Sequence, residues 1–357
     1  MNIVMILPSL AKTGPGIVAK DLCEEYVKNG HVCKVYYFDD IVGLEMPCET
    51  EKIGFTQAID FDNWDIIHSH MFRPDAYIRY HRNKIKRAKT LTTLHNPITY
   101  KAARTGFGII NSILLSQGWK FSLGAHDHIV CLNDETRSEL PESLRNKTSV
   151  IFNGRDIRLS EKSLPPHDQQ LLQNVRQNFK VIGTVSSLTR RKGIDQAIRA
   201  LSSLPDYSLV VLGSGPEKQN LKDLAKSINV DDRVLFLGFK DNPADYLQYV
   251  DVFVMCTESE GFPLALIEAA ACGKPCVLSD IPIMKSIITE SNGVKFYKIY
   301  DVEDLADKIK EIYSMKDLMS EDIHDYYDRQ LTADIMAGKY IDLYNSIGYN
   351  EQFKKNR

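Results

Sequence analysis

Short runs of apolar residues, many of them β-branched, alternate along the chain with Gly or Pro and then with stretches of helical periodicity. Runs that are apolar throughout fit strands buried on both faces, as in parallel sheets whose strands are joined by crossover helices. In the first half the pattern predicts a helix at 17–28 and six strands, at 2–7, 32–38, 64–68, 89–94, 128–132 and 148–152. In the second half it predicts six strands, at 180–185, 208–213, 234–238, 252–255, 275–279 and 293–296. Each half is therefore predicted to be a doubly wound α/β domain.

The segment between the two halves is polar and includes Pro165 and Pro166. We interpret residues 155–177 as a linker between a first domain at 1–160 and a second at 178–330. Beyond Val302 the pattern is helical, and 331–347 carries apolar residues at helical spacing with no strand after it. Residues 331–357 are expected to pack back on the N-terminal domain.

Charge and length limit the function classes. The 357 residues carry a net charge of −3, which is too balanced for a dedicated nucleic-acid binder. Residues 71–128 are the exception, with ten Lys or Arg against two Asp or Glu. The start of the chain lacks the pattern of a signal peptide, and the longest uncharged run, 15 residues, is shorter than a spanning helix needs. A cytoplasmic protein is expected.

The cysteines predict neither a disulfide framework nor a zinc knuckle. Their number is seven, which is odd, and no two of them form a CxxC pair.

Three features follow predicted strands of the first half. A segment containing Gly14-Pro15-Gly16 precedes the first helix and could hold an anion on its backbone N–H groups, although a plain turn explains it as well. His68 and His70 share one strand face, where metal ligation is one interpretation and polar residues closing a sheet edge the favoured one. His95 follows a strand directly, at the end where open α/β sheets bind ligands, although a lone His is more often structural.

The strongest motif runs from Glu260 to Glu268 across a turn-to-helix junction. Carboxylates accept hydrogen bonds from sugar hydroxyls, and free N–H groups at a helix start suit a phosphate. A charge at a helix N-terminus would explain Glu260, but not Glu268 among Leu266, Ile267 and the alanines that follow. A second cluster, Arg190-Arg191-Lys192, could stabilise an anionic leaving group, or could be a basic surface loop.

These motifs resemble the retaining glycosyltransferases of family 4, the group 1 type. The stretch from Glu260 to Ala269 is similar to the E-x7-E motif of the family, and Gly273-Lys274-Pro275 to its continuation. Further similarity runs through 151–154, 192–193, 213–216 and 236–239. The resemblance implies a GT-B fold, in which two doubly wound, Rossmann-like domains face a cleft, the first binding the acceptor and the second the nucleotide sugar.

The resemblance also implies roles for individual residues. Glu260 would face the transferred sugar, Lys192 would neutralise the diphosphate and His95 would point at the donor sugar, so these three are the candidate catalytic residues. The further donor-binding candidates are Gly16, Ser187, Arg190, Arg191, Gly238, Phe239, Phe262, Leu264 and Glu268. Ser187 stands where the family usually carries an arginine, so either Arg190 or Arg191 substitutes for it or the donor is held more weakly.

The implied reaction is transfer of a hexosyl or N-acetylhexosaminyl group, with retention, from a nucleoside diphosphate sugar to a hydroxyl acceptor. A UDP-sugar is favoured, and neither a catalytic metal nor a cofactor is expected. Basic and apolar residues within 79–120 suggest an anionic membrane surface and hence a lipid-linked or surface-polysaccharide acceptor, although a solvated basic helix beside a buried one would give the same pattern. The enzyme would then be peripheral on the inner face of the membrane.

Two alternatives stay open at this point. A GT-B sugar-nucleotide epimerase would process a UDP-sugar without an acceptor, but the segment 260–269 argues against one. A non-catalytic GT-B subunit that binds sugar or lipid would explain the serine at position 187.

Overall fold

The computed structural model describes residues 1–96, 98, 109–160 and 164–348, and these form two compact units. The first comprises Met1–Asp156 together with Leu331–Arg357, and the second comprises Ile157–Gln330. Each is built on its own parallel sheet.

The first unit has a seven-stranded sheet in the order β3-β2-β1-β4-β5-β6-β7, with every pair parallel. Its strands are β1 (Asn2–Leu10), β2 (Val32–Val42), β3 (Glu49–Lys52), β4 (Ile66–His70), β5 (Lys89–Leu94), β6 (His128–Cys131) and β7 (Thr148–Val150). Its helices are α1 (Gly14–Lys28), α2 (Phe72–His81), α3 (Ile109–Leu123), α4 (Asp134–Ser138), α5 (Glu142–Arg145) and, from the end of the chain, α14 (Ala333–Ser346).

The second unit has a six-stranded parallel sheet in the order β10-β9-β8-β11-β12-β13. Its strands are β8 (Lys180–Val185), β9 (Tyr207–Leu212), β10 (Val234–Gly238), β11 (Val252–Met255), β12 (Cys276–Ser279) and β13 (Val294–Tyr297). Its helices are α6 (Pro166–Asn178), α7 (Ile194–Ala200), α8 (Lys218–Ser227), α9 (Ala244–Leu247), α10 (Leu264–Ala271), α11 (Pro282–Ile287), α12 (Val302–Ser314) and α13 (Lys316–Gln330).

The predicted α/β class, with doubly wound parallel sheets, is confirmed, but three local predictions are wrong. Strand β3 was not predicted, because its four residues are polar and exposed and pair only with β2 at the sheet edge. The segment taken as a linker contains α6, which buries little more than Leu172 and Asp168. Gly14 and Gly16 lie in the first turn of α1 rather than in a loop, because β1 continues through Pro8 to Leu10.

The strand order determines where each sheet can bind a ligand. In the first sheet the order reverses between β1 and β4, and in the second between β8 and β11. Open parallel sheets bind ligands beyond the carboxyl ends of their strands at such a switch point, because the two connections there diverge to opposite faces. The loops after β8 and β11 therefore define the candidate site of the second unit.

None of the helices in the part of the chain that the structure describes has the length and apolar character needed to cross a bilayer.

Candidate functional site

The loops after β8 and β11 are joined to each other in the second unit. Arg190–Lys192 forms one turn of 3-10 helix, and the N–H of Glu258 donates to the carbonyl of Arg191 at 2.9 Å. The Ser279 hydroxyl donates to the carbonyl of Thr257 at 2.6 Å and fixes the second loop from beneath. The basic cluster and the start of the E-x7-E motif therefore meet at the switch point.

Lys192 and Glu260 form an ion pair at this junction. The Lys192 Nζ donates to Glu260 Oε1, and the side chains are only 15% and 9% exposed. The Arg191 Nη1 lies 4.0 Å from Glu260 Oε2 and also donates to the carbonyl of Ser259. Lys192, Arg191 and Glu260 thus lie together in a partly desolvated environment, where charge interactions are stronger than on an open surface.

A glycine and a buried glutamine support the ion pair from behind. Gly193 has a φ of +59°, and a Cβ there would lie 2.1 Å from the carbonyl oxygen of Cys256. The Gln196 Nε2 donates to that same carbonyl at 3.1 Å, while its Oε1 accepts from the Tyr297 hydroxyl at 3.0 Å. Sequence reasoning missed Gln196, because a glutamine in a helix is usually exposed.

The second carboxylate of the motif lies on α10. Glu268 is 8% exposed and follows the helix start by about one turn. No side chain caps α10 in the part of the chain that the structure describes, and Pro263 stands at the N-cap, so the first N–H groups of the helix point into the loop region. Leu264 is the first residue of α10, and Phe262 just before it is buried. This helix start can bind an anion through its backbone.

The position of the usual arginine is occupied by an exposed serine. Ser187 lies on the loop after β8, and neighbouring Leu188 is bound through its N–H to the carbonyl of Ser214 at 2.9 Å. Of the two arginines that follow, Arg190 is 87% exposed and pairs with Glu217 at 3.3 Å. Arg191 is therefore the one that lies beside Glu260.

Gly238 ends β10 on the same edge of the second sheet, and Phe239 follows it directly. The carbonyl of Gly238 accepts from the N–H of Gly213 at 2.8 Å, and Phe239 is 61% exposed. Gly213 has a φ of +141°, and a Cβ there would lie 1.8 Å from the carbonyl oxygen of Ser186. These contacts bind the ends of β8, β9 and β10 into one surface.

Gly16 lies in the first unit, where the packing of the chain leaves no room for a side chain. A Cβ at this position would lie 2.6 Å from the carbonyl oxygen of Ala11 and 2.9 Å from Leu44 Cδ1. The glycine therefore allows α1 to start close against the connection from β1.

His95 also lies in the first unit, where it stacks in a row of imidazoles. Its Nε2 is 2.8 Å from His70 Nδ1, and His70 stacks on His68 with ring centroids 4.3 Å apart. Burial lowers the pKa of His95 to about 3, so the ring is neutral at physiological pH. The favoured sequence interpretation of His68 and His70 as polar residues at a sheet edge is wrong, because both are fully buried on the central strand β4.

The imidazole row continues into a buried polar network that the sequence did not reveal. The Tyr344 hydroxyl on α14 lies 2.9 Å from His68 Nδ1 and 3.0 Å from the Tyr26 hydroxyl. The Thr93 hydroxyl lies 2.8 Å from His68 Nε2 and 2.7 Å from the hydroxyl of Tyr340, also on α14. Both nitrogens of His68 are therefore hydrogen-bonded to hydroxyls, which argues against metal ligation by that residue.

The segment 79–120 is only partly described, since 97 and 99–108 lie outside the described residues. Within this segment Trp119 does not face solvent, because it is buried and its Nε1–H donates to Asp75 at 2.6 Å. Leu114 and Phe121 on α3 are exposed instead, at 65% and 63%. The guanidinium of Arg79 lies 3.9 Å from the centroid of the Phe121 ring.

Among the described residues, one group of three side chains has the geometry to hold a metal ion. It consists of cysteines of the first unit and includes none of the candidate site residues.

Two family models match the chain in succession. The model described as Glycosyltransferase Family 4 matches residues 51–159, and the model described as Glycosyl transferases group 1 matches residues 169–328. The second match contains the whole site built around Lys192 and Glu260.

Individual relatives match over nearly the full chain. The O-antigen biosynthesis glycosyltransferase WclY of Escherichia coli is 28% identical, with 97% of this chain and 99% of that protein covered. The N-acetyl-alpha-D-glucosaminyl L-malate synthase of Bacillus anthracis is 24% identical, with 94% of each covered. Among solved structures, Anabaena Alr3699/HepE in complex with UDP superimposes with a TM-score of 0.80 at 16% identity, over 97% of this chain and 100% of that one.

Proposed function

The chain belongs to glycosyltransferase family 4, the group 1 glycosyltransferases of GT-B fold, and we propose that it transfers a sugar from a UDP-sugar to a lipid-linked or surface-polysaccharide acceptor. Retention of the anomeric configuration is typical of the family. Beyond family membership, we propose the type of donor, the type of acceptor and the roles of individual residues.

The ion pair between Lys192 and Glu260 carries the proposal. It places a cation and a carboxylate at the switch point of the second sheet, directly before a helix whose N-terminus lacks a side-chain cap in the described chain. A nucleotide sugar presents a matching pair of groups, a diphosphate and a hydroxyl-rich ring. Lys192 would bind the diphosphate together with the first N–H groups of α10, and Glu260 would accept hydrogen bonds from the sugar.

The neighbouring residues complete the donor site. Glu268 would accept from the ribose hydroxyls, and the backbone at Phe262 and Leu264 would contact sugar and phosphate. Gly238 and Phe239 would line the base pocket. We propose that Arg191, rather than Arg190, takes over from the arginine missing at position 187, because it already lies beside Glu260. Gly16 and His95 would be the first unit's contributions to the donor.

Catalysis would consist mainly of charge stabilisation. When the bond between the anomeric carbon and the phosphate oxygen breaks, negative charge grows on the leaving UDP, where Lys192, Arg191 and the start of α10 would stabilise it. The leaving phosphate itself would take the proton of the attacking hydroxyl on the same face, so no protein base is assigned. His95 is neutral and can donate or accept a hydrogen bond without repelling either substrate.

The acceptor class rests on the surface of the first unit. Leu114 and Phe121 expose apolar area on α3, and the cation of Arg79 lies over the Phe121 ring. Lys86 and Arg87 are exposed nearby in sequence. Apolar side chains bordered by cations suit an anionic membrane surface. A lipid-linked acceptor would be presented there, in keeping with the O-antigen biosynthesis named for the Escherichia coli relative.

The donor assignment is tested with a panel of UDP- and GDP-sugars and a membrane extract as the source of acceptor. We expect one UDP-sugar to be consumed into a lipid fraction. Lys192→Ala and Glu260→Gln should each lower turnover by about 100-fold or more, the scale for removing one group that stabilises developing charge. Lys308→Ala, which breaks the surface pair with Glu311 (3.0 Å), is the matched control and should behave as wild type.

Two outcomes would contradict the proposal. Consumption of a UDP-sugar to an isomer without any acceptor would indicate an epimerase. Binding of UDP with no turnover of any donor would indicate a non-catalytic subunit.

The membrane surface is tested by sedimentation with vesicles of anionic or of purely zwitterionic phospholipid. Wild type should sediment with the anionic vesicles, and the double variant Leu114→Ser, Phe121→Ser should not. Val42→Ser, which changes an equally exposed apolar residue (66%) elsewhere in the first unit, should sediment as wild type does. Equal sedimentation of all three proteins would refute this part of the proposal.

A further inference from the structure

Three cysteines that are far apart in sequence converge in the first unit. Cys23 lies on the buried face of α1, Cys33 on β2, and Cys48 directly before the edge strand β3. Their Sγ atoms all lie within 4.8 Å of one another, and those of Cys23 and Cys33 are 3.4 Å apart. The absence of a CxxC pair concealed this cluster, because its members are brought together by the fold.

The spacing of the sulfurs suits a metal ion. A Zn–S bond of about 2.3 Å in tetrahedral geometry separates two ligand sulfurs by about 3.8 Å. The Cys23–Cys33 separation of 3.4 Å lies just below that distance and no separation exceeds 4.8 Å, so small side-chain adjustments would form the site. We propose that Cys23, Cys33 and Cys48 bind a soft metal ion of the zinc class, with the fourth position left to a water or a small external ligand.

The surroundings give the site an entry path and a first ligand. Cys23 is fully buried and Cys33 is 8% exposed, whereas Cys48 is half-buried at the surface. Metals bind the thiolate rather than the thiol, and because Cys48 is the most exposed of the three cysteines, the ion would enter through it.

The metal would have a structural consequence. All four residues of β3 are exposed, and the strand is held by its pairing with β2 and by ion pairs such as Lys34 to Glu49 (2.7 Å) and Glu51 (2.7 Å). An edge strand with so little buried surface is weakly held. Coordination of Cys48 would attach this edge to α1 and β2.

A disulfide would use only two of the three sulfurs and would need an oxidant. A soft cation uses all three in their reduced state, and the geometry points to that interpretation.

The test is titration of the full-length, fully reduced protein with Co²⁺, whose thiolate complexes absorb in the near ultraviolet. We expect one equivalent to bind and Zn²⁺ to displace it, and the thermal unfolding midpoint to rise with added Zn²⁺. Cys48→Ser should lose most of the absorption and the rise, and because Cys48 is half-buried this variant should fold, which far-UV circular dichroism verifies. Cys272→Ser, a half-buried cysteine outside the cluster, should behave as wild type.

The proposal is overturned if the folded, reduced protein shows no thiolate absorption with Co²⁺. It is equally overturned if Cys48→Ser and Cys48→Ala both retain that absorption. An intact mass that lacks two hydrogens after purification without reductant, together with no Co²⁺ binding, would show that the cluster forms a disulfide and does not bind a metal.

Discussion

Replacing Gly193 by alanine tests how the ion-pair loop is positioned. The residue follows Lys192 directly and has a φ of +59°, where a side chain costs about 1 kcal/mol or somewhat more. Its Cβ would also lie 2.1 Å from the carbonyl oxygen of Cys256, far below the 3.4 Å of an ordinary contact. Either the backbone at Cys256 or the 3-10 turn at Arg190–Lys192 must therefore move by more than an ångström.

The magnitude follows from these contacts. Overpacking of this kind costs about 1–3 kcal/mol, and loss of the hydrogen bond from Gln196 to the same carbonyl about 1 kcal/mol. Together with the backbone cost, Gly193→Ala should lower the free energy of unfolding by about 3–5 kcal/mol. Donor turnover should fall at least about tenfold, because a misplaced catalytic group loses rate steeply.

The control isolates the steric part. Gly30 has a φ of +78° with no atom within 4 Å of an added Cβ, so Gly30→Ala carries only the backbone cost. That cost is partly offset by the reduced entropy of the unfolded chain, leaving about 0.5–1 kcal/mol. Both variants are unfolded in urea and followed by far-UV circular dichroism. A loss for Gly193→Ala within about 0.5 kcal/mol of that for Gly30→Ala, or wild-type turnover, would refute the reasoning.

Three further predictions follow from the same structure. Arg191→Ala should raise the donor KM about tenfold and Arg190→Ala less than about threefold in steady-state kinetics, and the reverse order would exclude Arg191 as the substitute arginine. Tyr344→Phe removes a hydroxyl from two buried hydrogen bonds and should cost about 1–3 kcal/mol in urea unfolding, whereas an unchanged midpoint would mean that the network adds no stability. The native pKa of His95, about 3, lies below its unfolded value of 6.5, so the unfolded chain takes up the proton first and stability falls as the pH drops from 7 to 5. His95→Gln should lose about 2 kcal/mol less than wild type over that interval, and the opposing contribution of Asp75, whose pKa burial raises to about 7, cancels in the comparison.

Strands buried on both faces were predictable from the sequence. The bounds of β5, β8, β10 and β11 match the prediction at both ends, because a run of apolar residues between polar punctuation marks a strand in a parallel sheet. Strand β3 had no such mark, since only its backbone takes part in the sheet and its side chains are all exposed. Helix α6 was missed for a different reason, because its apolar face is too narrow to produce a clear helical period.

In the candidate site, too, some features were predictable from the sequence and others were not. The pair Glu260 and Glu268 could be identified from the sequence, because both residues lie in one short segment and a proline marks the start of the helix in it. The contact between Lys192 and Glu260 joins residues 68 apart, and that between His68 and Tyr344 joins residues 276 apart. Local patterns carry no information on such pairings, which depend on the order of the strands. The convergence of Cys23, Cys33 and Cys48 is hidden from sequence reasoning in the same manner.

The cations of the candidate site are already engaged with acidic groups of the chain. Lys192 is paired with Glu260, and Arg190 with Glu217. In the proposed binding mode, a diphosphate must therefore take Lys192 from a carboxylate rather than from water. Since Glu260 is only 9% exposed, releasing it uncompensated would be costly unless a new hydrogen-bond donor reached it at the same time. A sugar nucleotide supplies both groups in one molecule, the phosphates for the lysine and the sugar hydroxyls for the carboxylate, whereas a free phosphate supplies only one. In the proposed binding mode, the ion pair thus favours the intact donor over its fragments.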